Sequence, residues 1–560
     1  MALKPELLPL TLHDLHSQSD SSLDALKNNV TPLRARKPKY RVAQNMFENP
    51  QIPDPRLFKF SVLKERANHR EETEKGHSHD GAKRPQSNNN DDTNLLPSLS
   101  HCATHLKLLS AFYQLRYKVL NSTDLDLALG IVPLTKRVYR LRRTGRWVPA
   151  KIGDSSFKQR REGKWPLFVL LAVVRFLRWA RAVEGSLIEG GGFEQGQGEA
   201  GLLPPIDVLM VWHAALLNPA WFRSLGFKTL AQCAFPWEEI NSTIDSNKPT
   251  WPYTLPEASS TAFTENTSLA ADLFAFLTGT SAHTETFSEL LKKHTFIKPN
   301  TETPPEQSEK ASTPLALTRE EITKALESFS ADQYAISKKF TGSEIAFLET
   351  YCSALTPDET STLVHDLSAA VHRQVAFTAK MESHCWIRSP ALEGTLTRAL
   401  DRYAKFVRLF KLCRGTLLVP TLDIDLVWHT HQCSHAAYSE AMMRLAGRLI
   451  NHDDKLGKSV LGDGLEGTVE AWRMRFGGEY ERCFCWDCEM LLDEVERYFE
   501  EERVNMEKGK RGERGKWEGR IAWAVSNEVE YHRVVEIARR KGDLLLPVPV
   551  PIGSPSLSSD

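Results

Sequence analysis

Hydrophobic and polar positions divide the chain into stretches of different texture. Residues 1 to 100 hold polar, low-complexity runs, among them Ser17 to Ser22 and Arg70 to Asn94. Too few apolar side chains occur there to offset the entropy of ordering, which predicts a disordered arm. From His101 the texture changes: Cys102, Leu106, Leu109, Phe112, Tyr113 and Leu115 recur at helical spacing, predicting an amphipathic helix capped by Ser100. A second helix is predicted over Trp165 to Val183, with Leu167, Leu170, Leu171, Val174, Leu177 and Ala180 on one stripe and Arg175, Arg178 and Arg181 on another. The glycine-rich run from Gly185 to Gly201 reads as a loop. Helical patterns follow over 319–328, 341–354, 358–381, 391–413 and 421–447, the first opened by the capping box Thr318-Arg-Glu-Glu321. Strand-like alternation is scarce.

One of these patterns occurs twice. Pro204-Pro205-Ile206-Asp207-Val208-Leu209-Met210-Val211-Trp212-His213 returns as Pro420-Thr421-Leu422-Asp423-Ile424-Asp425-Leu426-Val427-Trp428-His429, with Pro, Asp, Val, Trp and His at matching offsets. Such an internal repeat implies two related helical units. Proline near the first turn and aspartate three positions on are helix-opening signals, the carboxylate being expected to face the free amides of the helix start. In the second copy Ile424, Val427, Trp428 and His431 follow one helical face, while Asp425, His429 and Gln432 share a neighbouring one. The first copy has Leu209 and Ala215 where the second has Asp425 and His431. The expected fold is therefore mostly α, a multi-helical array of two related halves with a disordered N-terminal arm. The predicted boundaries are an arm over 1–100, a first half over 101–295, a proline-rich linker over 296–318, a second half over 319–545 and a disordered tail over 546–560.

Composition narrows the function classes. The 560 residues carry 71 basic and 71 acidic side chains, so no global charge draws the protein to nucleic acid or membrane. The longest apolar run, Leu167 to Val174, is far shorter than the roughly 18–20 residues of a membrane span. The N-terminus lacks the pattern of a secretory signal, and the nine cysteines form an odd, mostly scattered set. These features predict reduced thiols in an intracellular protein, cytoplasmic rather than nuclear.

Candidate chemistry lies in three places. The motif core is Asp207, Trp212 and His213 with Asp423, Trp428 and His429; its simplest reading is a hydrogen-bonded core histidine beside an anchoring tryptophan, with a ligand or acid/base role as the alternative. No cofactor is expected, with one exception. His431 and His435 have the i, i+4 spacing that lets two imidazoles share an ion, and Cys483, Cys485 and Cys488 form a compact thiol cluster. Together these five would hold a structural zinc ion, against the plainer reading of packed, reduced cysteines. Between Ile131 and Lys164 stand eleven basic residues against two acidic ones, with Tyr139, Trp147, Phe157 and Trp165 interleaved. Arg137, Arg140, Arg142, Arg143 and Arg146 are the candidate nucleic-acid contacts there, against the plainer reading of a solvated basic face.

At these residues a family resemblance emerges. The two Trp-His motifs, with Leu217-Asn218-Pro219 after the first and Thr430-His431-Gln432 after the second, resemble those of the glycine-rich domain-containing protein-like family of plants and fungi, which carries a domain of unknown function. Val371-His-Arg-Gln374, Phe377, Trp386-Ile-Arg-Ser-Pro-Ala-Leu392, Arg402, Tyr403 and Phe406 extend the likeness across roughly residues 100 to 500. The resemblance implies a largely helical intracellular protein without assigned catalytic residues. Some plant members are associated with stress responses and RNA binding through extra segments, a property that does not transfer to this chain. His435 replaces a proline expected from relatives, and the chain lacks the glycine-rich tail, ending near Leu544-Leu-Leu-Pro-Val-Pro-Val. Three classes follow in order: a structural or interaction scaffold with a protein partner, an RNA-binding accessory protein using residues 131–164, and a metal-dependent enzyme.

Overall fold

The structure, a computed structural model, describes residues 95–133, 136–143, 145–152, 157–185, 203–245, 252–294, 340–354, 359–452, 458–476 and 480–507, with positions 42–43, 154, 248, 250, 525, 529, 532–533, 536–537 and 544–545. The predicted arm up to residue 94 (Val42 and Ala43 apart), the linker, helix 319–328 and the tail lie outside the described residues.

Six long or motif-bearing helices form the body, three from each half. They are α1 (Leu99–Asn121), α2 (Lys164–Gly185) and α3 (Ile206–Leu216), then α4 (Glu359–His384), α5 (Leu392–Leu412) and α6 (Leu422–Gln432). After them come α7 (His435–Leu445) and α8 (Trp486–Glu507). Helix α1 begins two residues earlier than its pattern predicts: Ser98, not Ser100, is the cap, its hydroxyl accepting from the His101 amide at 3.2 Å. The single helix expected over 421–447 is two, because the chain turns at Cys433 and Ser434 between α6 and α7. Strands are few. Val42–Ala43 pairs antiparallel with Leu544–Leu545, and β1 (Lys136–Leu141) pairs antiparallel with β2 (Trp147–Ile152), Tyr139 lying opposite Pro149. That hairpin is the small strand content of a mostly helical fold, and Gly145, at φ +72°, supplies the left-handed residue its turn requires.

The halves are interleaved. Within them α2 packs on α3, and α5 packs on α6. Each leading helix, however, crosses to the other half: α1 lies against α5 and α6, and α4 lies against α2 and α3, while α1 and α4 pack on each other. A single apolar cluster runs through both halves, from Leu106 and Phe112 to Trp428 and Trp472. No described helix is long and apolar enough to cross a membrane.

Candidate metal centre between the repeats

Both motif helices are fixed by the same device, one that the linear pattern does not reveal. Asp207 and Asp423, at the helix starts, each meet an arginine of the preceding long helix, and the Asp207 carboxylate also accepts from its own backbone amide. Arg175 meets Asp207 at 2.6 Å, donates to the carbonyls of Ala270 (2.7 Å) and Ala271 (3.0 Å), and stacks on Phe263. Arg402 meets Asp423 at 2.7 Å, donates to the Tyr480 carbonyl (2.6 Å), and stacks on Trp472 and Tyr480. Burial pushes the Asp207 carboxyl up, and Arg175 works against that shift. A tyrosine then ties the segment entering each helix: Tyr253 donates to the Pro204 carbonyl at 2.8 Å and Tyr480 to the Val419 carbonyl at 2.7 Å. The duplication thus extends well beyond the visible motif.

The two tryptophans are core anchors. Trp212 contacts Trp179 and Phe235; Trp428 contacts Phe406 and Phe410, and its indole donates to the Tyr438 hydroxyl at 2.9 Å. An aromatic ring also covers each motif histidine, Phe112 of α1 for His213 and Phe377 of α4 for His429.

Here the copies diverge. His213 Nε2 lies 2.9 Å from His105 Nε2, and His105 Nδ1 lies 2.8 Å from the Thr430 hydroxyl, which itself donates to the Leu426 carbonyl. One protonation pattern satisfies all three: His213 donates to His105, and His105 donates through Nδ1 to Thr430. His105 therefore joins the first motif helix to the second. Burial, with His429 nearby, pushes His213 down to about 3, so both imidazoles of this sealed chain are neutral.

His429 faces instead a carboxylate and a third histidine. His429 Nε2 and Asp425 Oδ1 are 3.3 Å apart, His452 Nε2 and the same Oδ1 are 3.3 Å apart, and the two Nε2 atoms are 3.3 Å apart. A point equidistant from three atoms so spaced lies about 1.9 Å from each, close to the roughly 2.0–2.2 Å of zinc–nitrogen and zinc–oxygen bonds. The site is not sealed: the side chains of Asp425 and His452 are 20% and 13% exposed. Burial pushes the Asp425 carboxyl up, but His429, His452 and Lys380 outweigh it and hold the group below its ordinary range. Support comes from Tyr438, whose hydroxyl donates to the Ile450 carbonyl at 2.7 Å, and from Trp428, whose ring meets His452 edge-on. His452 carries no motif spacing; only its position after α7 brings it here.

The five residues grouped in the sequence as one zinc site do not assemble. Among the described residues, Cys483, Cys485 and Cys488 group by themselves, and His431 and His435 join neither them nor Asp425. His431 Nδ1 bonds the Tyr403 hydroxyl at 2.9 Å in a fully enclosed setting, and burial pushes it down to about 3. His435, the first residue of α7, lies against Phe222. Adjacency on α6 and α7 was misleading because the chain turns between the two histidines. In the basic segment Arg140, Arg142, Arg143 and Arg146 are exposed, and Arg137 stands opposite Lys151 in the ribbon.

Residues 285–441 match the family model described as Glycine-rich domain-containing protein-like. Over that segment the chain is similar to this family. It is similar to Glycine-rich domain-containing protein 1 of Arabidopsis thaliana, 36% identical over 124 residues, which are 21% of this chain and 15% of that protein. Glycine-rich domain-containing protein 2 of the same plant is 34% identical over 125 residues, again 21% of this chain and 15% of its own. The match thus spans about 15% of the length of these curated relatives. No solved structure matches the chain. The family segment contains α4, α5, α6, Asp425 and His429, and ends before His452 and the three clustered cysteines.

Proposed function

We propose that the protein is a helical scaffold whose functional centre is one divalent first-row transition-metal ion held by Asp425, His429 and His452. The observation that carries this reading is the triangle of donor atoms, each pair 3.3 Å apart. Two imidazoles and a carboxylate on one side of an ion suit zinc or ferrous iron, and leave coordination positions for water or substrate, as catalytic rather than closed structural sites do. The bound ion would act as a Lewis acid or lower the pKa of its water. This reading sets the metal-dependent class ahead of a scaffold that only binds other proteins. Elemental analysis of protein purified without chelator, in air and anaerobically, tests it. The expected result is one zinc or iron per chain that is lost in His452→Ala with helix content intact, whatever other ion the chain holds; wild-type protein whose metal content equals that of His452→Ala, before and after reconstitution, overturns it.

A second reading rests on the ribbon. Tyr139 and Trp147 are 68% and 65% exposed, and the strand register puts them on one face of the ribbon, with exposed Arg140 on the opposite face and Arg142, Arg143 and Arg146 around the turn. Two such rings suit stacked unpaired bases, with the arginines at the turn as the nearby phosphate contacts. Binding of a single-stranded RNA oligomer, weakened by salt and by Tyr139→Ala with Trp147→Ala, is the measurement; no binding at low salt removes the reading.

A further inference from the structure

The region between residues 480 and 488 is bound at several points to other parts of the fold. Arg402 and Val419 hold Tyr480 by its carbonyl and hydroxyl. The Trp386 indole donates to the Phe484 carbonyl at 2.9 Å, and the Trp486 indole donates to the His384 carbonyl at 2.8 Å. Cys485, between these two anchors, immediately precedes α8, and its carbonyl accepts the Glu489 amide at 3.0 Å. Further along, Arg398 of α5 gathers Glu489 (2.7 Å), Asp493 (2.6 Å) and Glu496 (2.9 Å), which fixes the start of α8 against α5.

This anchoring brings three sulfur atoms together. The Sγ atoms of Cys483, Cys485 and Cys488 all lie within 4.8 Å of one another, Cys485 and Cys488 being buried and Cys483 partly exposed. All three are thiols in the reduced form; Cys485 lies within hydrogen-bonding reach of both others, and the Cys488 amide donates to its sulfur. Three thiols so close cannot all ionise unless a cation compensates their charge. Soft thiolates select thiophilic ions, and the partly exposed Cys483 gives such an ion a path from solvent.

We infer that Cys483, Cys485 and Cys488 form a second metal site, chemically distinct from the Asp425 centre, for one thiophilic d10 ion, zinc or monovalent copper. Uptake makes three metal–sulfur bonds and releases three thiol protons to solvent, with no change of oxidation state. The ion ties the chain before α8 to the first turn of α8, so this site is structural, whereas the nitrogen and oxygen ligands of Asp425, His429 and His452 suit a harder ion.

The test uses the full-length, fully reduced protein, titrated with Co2+ as a spectroscopic stand-in for zinc and with Cu+ buffered by a competing chelator. One cobalt per chain should give intense sulfur-to-cobalt charge-transfer absorption that persists in His452→Ala and disappears in Cys488→Ser. Because Cys488 is buried, Cys483→Ser is the companion variant: it should keep the helical circular dichroism and weaken binding by more than the about 10- to 100-fold that loss of a supporting contact costs. One Cu+ per chain without a cobalt signal assigns the site to copper. Absence of both signals in folded, reduced protein overturns the inference, and so does a Cys485–Cys488 disulfide that excludes either ion. Loss of the Asp425 centre leaves the sulfur signal untouched, so the two sites fail independently.

Discussion

The two motif copies share a framework and differ in what they do with one histidine. In each, an arginine of the long preceding helix holds the aspartate, a tyrosine ties the entering segment, and a phenylalanine from the leading helix covers the imidazole. Around His213 the remaining neighbours seal it, with His105 as its partner and Leu209 one turn before it. Around His429 the same turn offers Asp425, and a loop supplies His452. Two changes on a common frame separate a structural histidine from a candidate ligand.

The largest effect is expected from making the second copy like the first. Asp425→Leu should remove one bound ion per chain and leave any sulfur-ligated ion in place, while the helical spectrum stays unchanged; an unchanged total metal content would place no ion at Asp425. The converse change, Leu209→Asp, inserts a carboxylate at a fully buried position with no counterpart of His452. It should cost about 3–5 kcal/mol and gain no ion, since an unpaired buried charge is strongly destabilising.

The shared frame predicts costs of the same order. Arg175→Ala and Arg402→Ala each deprive a buried aspartate of its nearest cation, about 3–5 kcal/mol by denaturant titration, with the lower end for Asp423, which keeps Arg482 at 3.5 Å and the Thr421 hydroxyl. A cost under about 1 kcal/mol in one copy alone would break the equivalence between them.

A smaller effect comes from pH. His213 is neutral in the fold down to about 3, against an ordinary value of 6.5, because of burial and then of His429. The unfolded chain therefore binds a proton in that window and the folded chain does not, so stability falls as pH drops from 6.5 towards 3, by up to about 1.4 kcal/mol per pH unit for this group. Denaturation midpoints at neutral and mildly acidic pH should show this slope, reduced in His213→Asn; an unaltered slope would mean that His213 is protonated in the fold. The least effect belongs to Tyr253→Phe and Tyr480→Phe, about 1 kcal/mol each for one lost hydrogen bond. Thermal melts of the pair should move together.

Much of the helical frame is legible in the linear pattern. Spacing of Leu167, Leu171 and Val174 placed α2, and proline with aspartate placed the starts of α3 and α6. The motif tryptophans and histidines lie in the core, as large aromatic residues on an apolar face should. What escaped was every pairing between distant segments. Arg175 stands on the polar stripe of its helix, Arg402 only among the residues of the family resemblance and His105 within a helical pattern, and no spacing singles out His452. Their roles arise from packing of one helix on another, which local periodicity does not encode. The opposite error arose at His431 and His435, where regular spacing was extended across a turn.

The crossing of α1 and α4 has a consequence for biosynthesis. Helix α1 is complete about 300 residues before α6, its partner across the crossing, has been translated. At about 5–20 residues per second, the apolar face bearing Cys102, Leu106 and Leu109 waits some 15–60 s for its cover. A nascent chain in that state is a natural client for chaperones, and a gene cut between the halves would yield two fragments that must meet before either can hide its core.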